Sequence, residues 1–218
     1  MRRLAQPEVL KSAGIAALLT AILCYPRLNL WTARLYPLWY LEAVLFFGGI
    51  VLWAFVFAWH THYSGRPVFT LRIEPRLFAL ITLAGAVAAV CVRLFLDPTL
   101  RLRTPEDYPA NFEEWFARTL FHLAFLQLFL TFAPFAWLIR LTHRQTIAIA
   151  LTILFGVAVL TLKSRVSPTP VPAGLFAMLL ASRIVLGFAS LWIYLRGGVL
   201  LAWWWGLIFE ARHLAGLG

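Results

Sequence analysis

Apolar runs of about twenty residues, each closed by charged or turn-forming residues, recur along almost the whole chain. A bilayer core of about 30 Å takes roughly 20 helical residues at 1.5 Å rise each. The runs are Ser12–Tyr25, Pro37–His60, Leu77–Leu96, Phe112–Ile139, Gln145–Leu162, Val171–Leu195 and Val199–Gly218. They predict seven transmembrane spans, within a range of six to eight. Hydrocarbon cannot satisfy open backbone groups, so the spans should be helices. A barrel needs apolar and polar residues in alternation, and these runs are apolar all round. The expectation is an all-α, polytopic helical membrane protein with residues 1–218 in one transmembrane domain.

Composition excludes the other classes. Apolar residues make up 62% of the 218 and charged residues 13%, against roughly 45–50% and 25% in soluble domains. A soluble globule of this size could not bury so much apolar surface. Two cysteines, Cys24 and Cys91, make no disulfide scaffold; they read as small packing residues. The formal charge of +10 is carried by basic residues that bracket the runs, where they meet anionic headgroups. Membrane lipids, and no nucleic acid, are the partners this implies. Arg2, Arg3 and Lys11 before the first run resemble a signal peptide. Thr20–Pro26 offers no convincing cleavage site, so a retained helix is expected. Trp31, Tyr36, Trp39 and Tyr40 flank the start of the second run, and Trp59 and Tyr63 flank its end, as an aromatic belt. Basic residues divide nine to eight between the two sides, which leans only slightly to a cytoplasmic N-terminus.

Charge inside an apolar helix is costly and usually has a task or a partner. The densest case opens the fourth run, Asn111-Phe-Glu-Glu-Trp-Phe-Ala-Arg-Thr-Leu-Phe-His122. Glu114, Arg118 and His122 fall at i, i+4 and i+8 and share a helix face. Glu113 lies about 100° away. Glu114 can pair with Arg118, leaving Glu113 to polarise a water, or the two carboxylates can exchange roles. The structural alternative is a solvated helix start with two acids at the positive end of the helix dipole. Glu42, Arg183 and Glu210 are further charges within runs. Arg183 reads either as one half of an interhelical ion pair or as a receiver for a substrate carboxylate. The histidines have no metal-ligand spacing, and no Gly-x-Ser-x-Gly accompanies Ser182 or Ser190, so neither metal nor other cofactor is expected. The connection Asp97–Asn111, with Pro98, Pro105 and Pro109, reads as a stiff link rather than a lid.

Glu113-Glu-Trp-Phe-Ala-Arg118 matches the E-E-x-x-x-R motif of the CPBP family, the CAAX protease and bacteriocin-immunity membrane proteins. Ala148–Phe155 resembles that family's helix leading into F-x-x-x-H. Gly187–Gly198 resembles its glycine-rich helix and turn, and Val199–Glu210 its last core helix. The likeness covers residues 110–215, the CPBP-like core. It implies a helical intramembrane protease in which a glutamate activates water and two histidines on later helices assist. Carried over, Glu113 would activate water, with Glu114 and Arg118 as its motif neighbours. The chain departs from the pattern where the histidines belong. Phe155-Gly-Val-Ala-Val159 ends in valine, and Leu207-Ile-Phe-Glu-Ala211 has neither the histidine nor the asparagine of H-x-x-x-N. A divergent enzyme would have to recruit His122 or His213 instead.

Three functions follow as expectations. The first is an intramembrane peptidase, a hydrolase of glutamic type that cleaves a membrane-anchored or lipidated protein. Glu113, Glu114, Arg118 and His122 are its candidate catalytic residues, and a bacterial inner membrane is its setting. The second is a catalytically silent relative that binds, scaffolds or confers immunity, with Glu114–Arg118 as a structural ion pair. The third is a carrier dependent on Glu42, Arg183 and Glu210, although no inverted repeat is visible.

Overall fold

The computed structural model describes residues 6–64, 67–70, 72–166 and 171–216. Arg2 and Arg3, named above before the first run, and the end of the last run lie outside them. The described residues form helices and no strand. The elements are α1 (Pro7–Leu30), α2 (Leu38–Trp59), α3 (Pro75–Phe95), α4 (Asp97–Arg103), α5 (Phe112–Phe121), α6 (Ala133–Thr142), α7 (Gln145–Val166) and α8 (Ala173–Glu210). Two wide π-turns, His122–Leu126 and Leu128–Phe132, join α5 to α6. Six helices are long and apolar enough to cross a membrane, with Phe112–Thr142 counting as one. The protein is a helical integral membrane protein.

Prolines set several starts. Pro7, Pro75 and Pro98 sit in the first turns of α1, α3 and α4, where a missing N–H costs nothing. Pro134, in the first turn of α6, follows the π-turns. Its ring crowds the carbonyl four residues back and its nitrogen cannot donate, which favours a widened turn just before it. The first helix runs well past the expected Ser12–Tyr25. Its extra turns carry Glu8 and Arg27 near the ends, where charged side chains reach the membrane surface.

α1 and α2 form an antiparallel pair with the most extensive contact in the molecule. Gly49 lets α2 approach Ala17, since a methyl there would lie 3.2 Å from the Ala17 Cβ. Trp53, fully buried, donates its indole N–H to Thr20 Oγ1 at 2.9 Å. Thr20 in turn donates to the Ala16 carbonyl at 2.9 Å. The main core gathers Trp53, Trp59, Phe132, Phe135, Leu191 and Tyr194. Large side chains such as Leu83, Phe95 and Phe47 point outward, as lipid contact requires and water would penalise.

A straight helix of 38 residues would measure about 57 Å, nearly twice the hydrocarbon thickness. α8 is not straight, because Gly198 sits at φ 74°, ψ −167°. The arms on either side run in opposite directions. Tyr194 stacks on Phe132 with ring centres 4.7 Å apart. Beyond the glycine, Gln127 donates to the Ala202 carbonyl at 3.4 Å, and Glu210 meets His122. The chain thus walks back along the α5–α6 segment, and the two arms are the expected sixth and seventh runs. The returning arm also packs on α3. Trp204 donates to Thr82 at 2.9 Å and stacks on Phe78, so it serves packing.

Candidate functional site

The start of α5 is fixed by a cap. Asn111 Oδ1 accepts the Glu114 N–H at 2.9 Å, and Glu114 Oε2 accepts the Ala110 N–H at 2.9 Å. The first bond caps the helix start, and the second ties the preceding residue to it, so two backbone donors are satisfied. The other Glu114 oxygen accepts from Arg118 Nε at 3.0 Å and also from its Nη2. Arg27 at the end of α1 stands 3.7 Å from the same oxygen. Arg118 also donates to the Glu106 carbonyl at 2.7 Å. The expected Glu114–Arg118 pair is therefore present, with the carboxylate occupied on both oxygens. Glu113 is exposed and does not line the cavity described next.

That cavity has a volume of about 490 Å³ and lies between the start of α5, the end of α7 and both ends of α8. Arg118 and His122 line it; so do Glu210, Arg212 and His213 from the returning arm. His122 opens the first π-turn and brings Nδ1 to 2.6 Å from Glu210 Oε1. The Glu210 side chain is 14% exposed. It also faces His213 Nε2 at 3.6 Å and Arg212 Nη1 at 3.8 Å. Sequence reading put Glu210 inside a run but could not give it this partner.

A second layer holds the first in place. Trp115 donates its indole N–H to the Glu210 carbonyl at 2.9 Å. Arg93 from α3 donates to the Arg212 carbonyl at 2.9 Å and the Ala215 carbonyl at 2.7 Å. Carbonyls left open where α8 passes into a 3₁₀ turn are thus satisfied by a cation, which the negative helix end also favours. Arg212 Nε is 3.5 Å from Asp97 Oδ2, an ion contact without hydrogen-bond geometry. Asp97, 3% exposed, accepts from the Tyr108 hydroxyl at 2.8 Å. Burial, and then this bond to Asp97, push the Tyr108 phenol well above its ordinary pKa.

The connection Asp97–Asn111, expected to be a stiff link, carries α4 and a 3₁₀ turn and forms one wall of the cavity. Lys163 of α7 ties it down, 2.9 Å from Asp107 Oδ2. Asp97 and Tyr108 escaped the sequence reading as site residues. Their only signals were an acid closing the third run and a tyrosine between prolines. Of the other charges within runs, Glu42 Oε1 is buried without a hydrogen-bond partner. Arg183 makes no hydrogen bond or ion pair among the described residues, so the interhelical pair expected of it is not formed there. Among the described residues no three His, Cys, Asp or Glu side chains come close enough to hold a metal ion. No family model, no curated protein and no solved structure matches the chain.

Proposed function

We propose that the protein is an intramembrane peptidase of CPBP type that hydrolyses a membrane-anchored or lipidated protein in a bacterial inner membrane. One observation carries the reading: the 2.6 Å His122–Glu210 contact in the wall of a cavity at one end of the bundle. Beside an ionised Glu210, His122 Nδ1 carries the proton and donates it, which leaves Nε2 as the free acceptor. His122 then takes a proton from water at Nε2. The resulting hydroxide adds to the substrate carbonyl carbon. When the C–N bond breaks, the imidazolium returns that proton to the leaving amine, and a carboxylic acid and an amine are released. Glu210 orients the ring and stabilises its charged form. Arg118, held by Glu114, lends positive potential to the same wall.

The test is cleavage of N-palmitoylated peptides in proteoliposomes, followed by mass spectrometry. His122→Ala and Glu210→Gln should each lower the rate about 10²–10⁴-fold, while Glu113→Gln should change it little. Loss of cleavage in Glu113→Gln with His122→Ala unaffected would return the water-activating role to Glu113, as the family resemblance implies, and refute the dyad.

A second reading has its own support. Both oxygens of Glu114 are spent on a cap and an ion pair, and Glu113 faces outward. That arrangement suits a catalytically silent relative whose cavity binds a membrane peptide. Absence of cleavage across the peptide panel by well-folded wild type would favour it.

A further inference from the structure

Two arginines share the Glu114 carboxylate. Arg118 donates to it from Nε and Nη2, and Arg27 of α1 stands 3.7 Å from the same oxygen. The other acids in the cavity wall have cations of their own. Asp107 holds Lys163, and Glu210 faces His122 and Arg212. Around Glu114, therefore, one positive charge is left over. Donors are left over too. Among the described residues Arg27 makes no hydrogen bond and Arg118 Nη1 donates to nothing. Both arginines line the cavity, with side chains 29% and 19% exposed.

Their depth is informative. Phe112–Thr142 spans 31 residues, about 46 Å, so about 8 Å of it lies beyond the hydrocarbon at each end. Arg118 is about 9 Å in and leans back towards the start of α5. Its guanidinium therefore stands at the level of lipid headgroups. Below it a row of phenylalanines descends the same segment. Phe121, in the cavity wall, has its ring centre 5.5 Å from that of Phe125, which stacks on Phe129 at 5.8 Å. Phe121 and Phe125 are half-buried and Phe129 is exposed. From Arg118 to Phe129 is about 17 Å along the segment, close to half the hydrocarbon thickness. That is the depth of one leaflet.

We infer that the rim of the cavity binds an anionic glycerophospholipid, its phosphate between Arg27 and Arg118 and one acyl chain along Phe121, Phe125 and Phe129. The inference goes beyond the peptidase reading and requires no cleavage. A phosphodiester with an uncharged headgroup carries one negative charge, which matches the surplus. A choline headgroup adds a cation and cancels the match. Guanidinium groups from two helices suit a tetrahedral phosphate, whose oxygens point in several directions. Free phosphate would meet the same arginines but gain nothing from the phenylalanines.

The test titrates lipids into the purified protein in a maltoside detergent and reads bound lipid by native mass spectrometry. Dioleoyl phosphatidylglycerol should bind about tenfold tighter or more than dioleoyl phosphatidylcholine. Arg27→Gln should cut that preference to about twofold or less, and Arg27→Lys should keep part of it, because the charge remains. Lys11→Gln, the same charge change at the opposite end of α1, should leave it whole. Phe129→Ala, at an exposed position, should weaken phosphatidylglycerol several-fold without removing the preference. An unchanged elution volume on gel filtration reports that each variant is folded. Equal affinities for the two lipids in wild type, a preference that survives Arg27→Gln, or one that Lys11→Gln removes as well, overturns the inference. Displacement of the lipid by inorganic phosphate would assign the arginines to a soluble anion and overturn it too. A lipid preference in a protein that cleaves nothing sinks the peptidase reading and leaves this site standing. Cleavage without a lipid preference does the reverse.

Discussion

Replacing Gly198 with alanine tests whether the turn in α8 builds the site. At φ 74°, ψ −167° the residue occupies a backbone region that is essentially glycine's alone, and a side chain there costs about 1–3 kcal/mol. The methyl would also lie 3.0 Å from the Val68 carbonyl oxygen. That oxygen accepts the Val199 N–H at 3.3 Å, a bond worth about 0.5–1.5 kcal/mol net. Strain and a weakened bond together give a loss of about 2–4 kcal/mol. Gly48, on α2, is the control, because a methyl there meets nothing within 4 Å. Gly48→Ala should be neutral or stabilising by up to about 1 kcal/mol, since glycine is a poor helix former. Reversible unfolding in mixed detergent, followed by circular dichroism, measures both. The turn also sets the register of Glu210 against His122, so Gly198→Ala should lose function beyond what its unfolded fraction explains. Stability within about 0.5 kcal/mol of wild type for both variants would refute the reasoning.

Thr20→Val keeps the shape of α1 but strands the buried Trp53 indole N–H, and should cost about 1–3 kcal/mol; the same unfolding assay checks it. Tyr108 gives a pH prediction. Its folded pKa is raised, whereas in the unfolded chain the phenol ionises near pH 10. The stability it contributes is therefore whole below about pH 10 and is lost as the pH climbs towards the folded value. The phenolate titration of wild type minus that of Tyr108→Phe should show no group ionising near pH 10, and one that does so would contradict the buried Asp97 bond.

The spans were readable because a lipid core imposes length, and length survives in sequence without any knowledge of contacts. The break between the last two runs was equally readable from Gly197-Gly198. Two things were not. The first helix begins at Pro7, because charges in its end turns can reach the surface and so leave no mark in an apolar run. The π-turns at His122–Leu126 and Leu128–Phe132 were invisible because a widened turn shifts a face without changing composition. The cavity itself depends on them, since His122 opens the first.

The site divides the same way. Glu114–Arg118 was legible at i, i+4 because one helix fixes the geometry. The His122–Glu210 contact spans 88 residues, and its register is set by a glycine turn and by Arg93 and Trp115 from other helices. No local spacing encodes that. The consequence bears on the E-E-x-x-x-R likeness. In this fold its second glutamate caps α5 and binds its arginine, so those two positions have a structural reason to be kept, with or without chemistry. The motif then says little about catalysis here. In the proposed peptidase the weight falls on residues outside it: a histidine one turn past the arginine and a glutamate that the reversal at Gly198 delivers.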